Sequence, residues 1–209
     1  GGSAYLVPSA SRILIYALAA VSLNLLVGYT GLVSLGHAAY LGVGAYVVGI
    51  LSFHAAEGST IFGLPGTVEG LVSIPLAILF SALVALVLGA LCLRTSGIYF
   101  IMITLAFAQM MFFITVSLER YGGDDGLFMY AGPNRLGPLD LSSEWTFFYV
   151  CLAVLFAFLL FCRYLVGTRF GRALGAIRQN EARMITLGCN VYRYKLAIFV
   201  IAGAGAGLA

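Results

Sequence analysis

From Leu71 to Leu93 the chain runs for 23 residues without a single Asp, Glu, Lys or Arg. Coiled as a helix, such a run is about 35 Å long, enough to cross the ~30 Å hydrocarbon core of a bilayer with some tilt. A helix is also the conformation that satisfies every backbone N–H and C=O within the segment itself, which lipid demands. The pattern recurs. Ile13 to Val27 is uncharged and extends back past Arg12 and Pro8 to Tyr5. Leu32 to Ala56, Gly97 to Leu118 and Trp145 to Cys162 follow, with Trp145 placed as an interface anchor. Leu196 to Ala209 begins a sixth span whose 14 residues give about 21 Å of helix. With 62% hydrophobic and only 9% charged residues against about a quarter charged in soluble domains, a water-soluble fold is excluded. The sequence predicts an all-α, polytopic transmembrane helix bundle, a single domain over 1–209 with about five spans and the start of a sixth. It reads as a fragment, with one span expected ahead of residue 1.

Charge placement orients the bundle. The segment from Arg163 to Lys195 holds seven of the eleven basic residues against Glu181 alone, whereas Glu119 to Glu144 holds five acidic residues against Arg120 and Arg135. By the excess of Lys and Arg in cytoplasmic loops, the first segment lies inside. Counting spans backwards places 119–144 outside, Arg94 inside, the Glu57–Glu69 loop outside and the Gly28–Gly31 turn inside. Residue 1 falls outside.

Several chemistries find no support in the sequence. The apolar stretches carry no Asp, Glu, Lys or Arg of the kind that proton- or ion-coupled carriers often place near mid-membrane. Lys195 is the sole lysine and follows Tyr194, so there is no Gly-x-x-x-x-Gly-Lys cradle for nucleotide phosphates. His37 and His54 are 17 apart with no ligand-spaced partner, which argues against a metal site. Cys92, Cys151, Cys162 and Cys189 have no paired spacing and read as free thiols. A net charge of +3, scattered along the chain, gives no nucleic-acid footprint.

Small residues recur at helical spacing: Ala38, Gly42, Ala45 and Gly49 on the second span, Ala77, Ser81, Ala85 and Gly89 on the third, and Gly203-x-x-x-Gly207 on the last. Such stripes predict close helix–helix approach in lipid. On the fourth span Thr104, Ala108, Met111 and Thr115 share one face, and Gln109 points about 140° away from Thr104. The run Gly28-Tyr29-Thr30-Gly31-Leu32-Val33-Ser34-Leu35-Gly36-His37-Ala38 is a polar, glycine-rich approach to the second span. It reads either as a packed, capped turn or as non-helical backbone lining a pathway, since irregular backbone survives at depth only when buried in protein or facing a wet cavity.

That run, with Gly-Tyr-Thr-Gly followed by Ser-Leu-Gly-His-Ala, resembles the branched-chain amino-acid permeases of the ATP-binding-cassette importers. Three further stretches carry the resemblance in order and spacing: Arg94–Phe100 leading to Thr104-Leu105-Ala106-Phe107, Gly122-Gly123-Asp124-Asp125-Gly126-Leu127, and Phe170-Gly171-Arg172-Ala173 through Leu187-Gly188 to Tyr194-Lys195. Asp124 departs from the small polar residue expected there. The resemblance implies a subunit of the bacterial or archaeal cytoplasmic membrane with no cofactor of its own. It further implies a second permease subunit, two cytoplasmic ATP-binding subunits that use ATP and Mg, and an external solute-binding protein. The cargo it implies is branched-chain or related amino acids, with urea, short amides and other small polar solutes as alternatives. A passive channel and a membrane-embedded enzyme are rivals of another class.

On this reading Asn24, Ser34, His37, Thr104 and Gln109 are candidates for the translocation pathway, and Gly122, Gly123, Asp124, Asp125 and Gly126 for contact with the binding protein. The segment 167–195 is the candidate ATPase-coupling loop, through Gly171, Arg172, Ala173, Glu181, Ala182, Leu187 and Gly188. Glu181-Ala182 with Gly188 resembles the family's cytoplasmic Glu-Ala-Ala loop, with Arg183 in place of the second alanine. On a helical wheel Leu174, Ile177, Met184 and Ile185 share one face, with Arg172 and Arg183 roughly opposite. Glu181 falls within the apolar face, which suggests a basic group or helix N-terminus on a partner. Gly175 interrupts the pattern and predicts two short helices.

Overall fold

The computed structural model describes residues 3–57, 60–61, 64–65, 69–118, 121, 135–136, 139–140 and 143–209. Within them the order is α1 (Ser3–Thr30), α2 (His37–Glu57), α3 (Gly70–Cys92), α4 (Ile98–Val116), α5 (Glu144–Gly167), α6 (Arg169–Gln179), α7 (Glu181–Thr186) and α8 (Val191–Leu208). Two minimal antiparallel hairpins punctuate the long connections: β1 (Thr60–Ile61) with β2 (Leu64–Pro65), and β3 (Arg135–Leu136) with β4 (Leu139–Asp140). Six helices (α1 to α5 and α8) are long and apolar enough to cross a membrane. The architecture is the polytopic helix bundle expected.

The helices outrun the apolar stretches that announce them. α5 continues past Cys162 through Arg163 to Gly167, and α8 starts at Val191 with Arg193 and Lys195 in its opening turns, so 18 residues are helical rather than the 14 expected. Long basic side chains lay their stems along apolar surface and keep the charge at the interface, so an apolar-run boundary understates the helix.

The centre of the bundle is α8, packed against α1, α2 and most extensively α3. Its Gly203 faces Ala85 and its Gly207 faces Ser81, so two i, i+4 pairs of small residues meet across antiparallel helices. Ser81 Oγ lies 2.7 Å from the Gly203 carbonyl and 3.2 Å from the Tyr40 carbonyl, sharing its proton between α8 and α2. On α2 the close approach is made by Gly44, where an added methyl would stand 2.6 Å from the Gly207 carbonyl oxygen. The stripe expected on α2 is therefore displaced. Gly49 is buried, but Ala38 and Ala45 are exposed and a side chain added at Gly42 would meet nothing among the described residues, because the bulky anchors Tyr40 and Leu51 set which face turns inward.

α4 and α5 form the periphery. Their apolar side chains, such as Met102, Phe113, Phe156 and Leu160, stay exposed in the single chain, as lipid-facing residues do. The described contacts between connections lie at two ends of the bundle. At one end Arg178 of α6 donates to the Gly28 carbonyl of α1, and Tyr192 Oη of α8 donates to Ala90 O of α3 at 2.9 Å. At the other, Tyr121 sits on Phe53 and His54 near the close of α2, with ring centroids 5.7 and 5.8 Å away.

Candidate functional site

The connection between α1 and α2 does not stay at the membrane surface. α1 runs on through Gly28-Tyr29-Thr30, and residues 31–36 are non-helical before α2 begins at His37. His37 Nε2 then meets Ser22 Oγ of α1 at 2.9 Å. Ser22 is eight residues before Thr30, about 12 Å back along the helix at 1.5 Å per residue. Gly36 presses on the backbone carbonyl of Thr104, which lies six residues or about 9 Å into α4. Both rulers agree that the chain climbs back into the bundle before α2 starts.

The segment is non-helical and closes with a turn at residues 35–36, and burial alternates along it. Val33 and Leu35 face outward, while Ser34 and Gly36 are buried. Gly31 makes the reversal at φ +71°, a region that favours glycine. Among the described residues, Leu32 to Gly36 donate no backbone–backbone hydrogen bond. Two buried side-chain atoms here also lack a partner, Ser34 Oγ and His37 Nδ1. Buried polar groups in folded proteins are otherwise almost always paired.

Of the five pathway candidates, the fold brings three to this place: Ser34, His37 and Thr104. Thr104 Oγ1 spends its proton on the Ile101 carbonyl at 2.9 Å, so it presents an oxygen rather than a free donor. Asn24 and Gln109 are exposed on the flanks of α1 and α4 and do not join them. A helix turns by 100° per residue, so Gln109 cannot share the face that Thr104 buries. Ser22 is the member that sequence reasoning missed, because an isolated serine in an apolar run carries no signal until His37 is placed opposite it. The binding-protein candidates Gly122, Gly123, Asp124, Asp125 and Gly126 lie outside the described residues.

At the same, basic end lies the candidate coupling segment. Thr168 caps α6, its Oγ1 accepting from Gly171 N at 3.4 Å, and Gly171 turns the chain so tightly that a side chain would strike the Val166 backbone. α6 buries Gly171, Leu174 and Ile177, half-buries Ala173 and leaves Arg172 exposed; Phe170 stacks on Tyr194 of α8 at 5.5 Å. The two-helix expectation holds, but the break falls at Asn180 and not at Gly175, which α6 carries in its interior. Asn180 Oδ1 accepts from Arg183 N at 3.0 Å and so starts α7, whereas a glycine on a helix docked by Leu174 and Ile177 costs only about 1 kcal/mol.

That break also undoes the shared apolar face. Leu174 and Ile177 point into the bundle, while on the separate α7 Met184 is only half-buried and Ile185 is 59% exposed, as is Leu187 just past its end at 69%. Glu181 finds its basic partner within the chain, Lys195 Nζ at 2.8 Å, so the inference of a partner's charge opposite it is corrected. Ala182 and Gly188 are exposed. Gly188, at φ +80°, ends α7 in a Schellman motif: Cys189 N reaches Met184 O at 3.1 Å and Gly188 N reaches Ile185 O at 3.0 Å. The Arg178 guanidinium, on the last turn of α6, donates to Gly28 O and lies along Gly31, joining this segment to the α1–α2 break.

Comparison with known proteins agrees with this architecture. The chain is 28% identical over 96% of its length to the high-affinity branched-chain amino acid transport system permease protein LivM of Salmonella typhimurium (strain LT2). It is 27% identical over the same share to LivM of Escherichia coli (strain K12), in each case covering 50% of the relative. The probable branched-chain amino acid transport permease protein LivM of Methanocaldococcus jannaschii is 26% identical over 91% of this chain and 61% of that protein. The chain thus spans about half the length of the first two relatives. No solved structure matches significantly. The model of the family described as branched-chain amino acid transport system, permease component, matches residues 5–209, and the chain belongs to that family.

Proposed function

We propose that this chain is the core of the membrane-spanning permease subunit of an ATP-driven importer. It translocates branched-chain or related amino acids delivered by an external binding protein. A second permease subunit completes the pathway, and two cytoplasmic ATP-binding subunits supply the work by hydrolysing ATP with Mg. The membrane is the cytoplasmic one of a bacterium or archaeon, with 163–195 inside.

The observation that carries this reading is the direct link from α6 to the broken connection between α1 and α2. α7 and the residue that follows it present Ile185 and Leu187 outward at the basic end, a surface suited to an ATPase, while Arg178 one helix earlier grips Gly28 and Gly31. Movement of α6–α7 by a closing ATPase therefore acts on residues 28–36, where Ser34 and His37 stand beside Thr104. The non-helical stretch at depth supports a pathway role, because lipid does not tolerate such backbone and protein or water must cover its outer side. Discontinuous helices hold the substrate sites of many secondary transporters for the same reason.

The test is uptake into proteoliposomes containing the full-length subunit with its partner permease, ATPases and binding protein. Labelled leucine is expected to accumulate only with ATP, and excess isoleucine or valine to compete where urea and acetamide do not. Equal uptake without ATP would identify a passive channel and overturn the proposal.

A further inference from the structure

The unpaired atoms at the start of α2 are not a random set, and proton bookkeeping sorts them. Ser22 has one hydroxyl proton, and its oxygen is 2.7 Å from the Ala19 carbonyl, which can only accept. Both Ser22 contacts are satisfied together only if that proton goes to Ala19 O and His37 Nε2–H donates to Ser22 Oγ. A neutral imidazole carries one N–H, so Nδ1 is left as a bare acceptor. Nδ1 is the ring nitrogen nearer the main chain of the residue that opens α2, and it is buried without a partner among the described residues.

His37 is 6% exposed and Ser34 4% exposed, so neither unpaired atom is relieved by bulk water. Beside them in the chain, the backbone N–H groups of residues 32–38 donate no backbone–backbone hydrogen bond, while Ala39 N already donates to Gly36 O at 3.1 Å, and the dipole of the 21-residue helix that begins at His37 adds positive potential. The Ser34 hydroxyl can donate into the same space. One buried acceptor beside a cluster of donors is the complement of a group bearing an ammonium next to a carboxylate. Tyr40, edge-on to His37 at 5.8 Å, with Phe199 behind it at 5.8 Å, gives the same place an apolar wall.

We infer that the start of α2 is a binding subsite for the zwitterionic end of an α-amino acid with an apolar side chain. The carboxylate sits on the His37 and Ala38 N–H groups that open α2 and on Ser34 Oγ, the ammonium donates to His37 Nδ1, and the side chain turns toward Tyr40. The inference rests on the importer reading and specifies where and how that cargo is held within the membrane.

Equilibrium binding of labelled L-leucine to the full-length permease–ATPase assembly in nanodiscs, without the binding protein, leaves only the membrane subunits to discriminate. Unlabelled competitors are L-leucine, L-leucinamide, which lacks the carboxylate, and 4-methylpentanoate, which lacks the ammonium. Leucine is expected to compete at least tenfold better than either analogue. His37→Gln keeps a donor toward Ser22 and loses the Nδ1 acceptor, so the preference over 4-methylpentanoate should fall toward unity while that over leucinamide persists. His37→Asn, which keeps an acceptor at the Nδ1 position, should retain the first preference, and Ser34→Ala should weaken the second. If the His37 variants fail to assemble, the analogue series on the unmodified protein with Ser34→Ala decides alone. Equal competition by all three compounds, or unchanged preferences in the variants, while ATP-driven leucine uptake is intact, overturns this subsite and leaves the importer reading standing. Absence of ATP-driven uptake in the complete unmodified transporter would strike the importer reading instead.

Discussion

Replacing Arg178 with alanine should uncouple ATP hydrolysis from transport without dismantling the protein. The guanidinium donates to Gly28 O at the C-terminal end of α1, where a cation also complements the helix dipole. A hydrogen bond from a charged group is worth about 1.5–3 kcal/mol, and at this exposed position the lower end applies, about 1.5 kcal/mol or tenfold in an equilibrium. The docking of α6 itself rests on Leu174 and Ile177, 1% and 3% exposed. Burying each side chain contributes about 1.5–3 kcal/mol, so roughly 3–6 kcal/mol of apolar burial remains when Arg178 is gone. The helix therefore stays in place while its grip on the α1–α2 break loosens about tenfold. In reconstituted transporter, ATPase co-purification should match the unmodified protein, and ATP hydrolysed per leucine imported should rise several-fold toward tenfold. Leu174→Ala is the contrast: at about 2–5 kcal/mol for a buried leucine, it should loosen α6 altogether and reduce ATPase co-purification. An unchanged ATP-to-leucine ratio in Arg178→Ala would refute the mechanical link.

Cys189 follows the Gly188 turn at the basic end, so an impermeant thiol reagent should label it only from the cytoplasmic side; labelling from outside intact cells would reverse the topology. Gly44→Val places a side chain against the Gly207 carbonyl and should destabilise the bundle by about 1–3 kcal/mol or more, read as a lower thermal midpoint in detergent, whereas Gly42→Val, with open space around it, should leave that midpoint nearly unchanged. Glu181→Gln removes a half-exposed ion pair with Lys195, worth about 0–1 kcal/mol, so a marked loss of ATPase co-purification in this variant would point to a contact of Glu181 beyond the chain. In the complete subunit, Asp124→Ala with Asp125→Ala should weaken stimulation of hydrolysis by the binding protein; equal stimulation would remove these residues from that contact.

The sequence alone determined where the membrane-length helices fall and which end of the bundle is basic, because about 20 apolar residues have one stable placement in a bilayer and charged residues gather in the connections. Leu71–Leu93 predicted α3 to within a residue, and Arg163–Lys195 marked the end where Arg178 meets Gly28. Motif resemblance identified the family from residues that include Gly36, packed against Thr104, and Gly188, which ends α7. The tertiary structure decided what periodicity does not encode. Spacing gave α2 a small-residue stripe at Ala38, Gly42, Ala45 and Gly49, but the anchoring of Tyr40 and Leu51 turned Gly44 inward instead. The pattern at Gly175 promised a break, yet the capping bond of Asn180 placed it five residues later. Ser22 became part of the site only through a contact with a residue 15 positions away, made possible by a chain that climbs back into the bundle. Local propensity and hydropathy act over a turn or a span, and the pairing of polar atoms across helices depends on how whole helices rotate and close on one another.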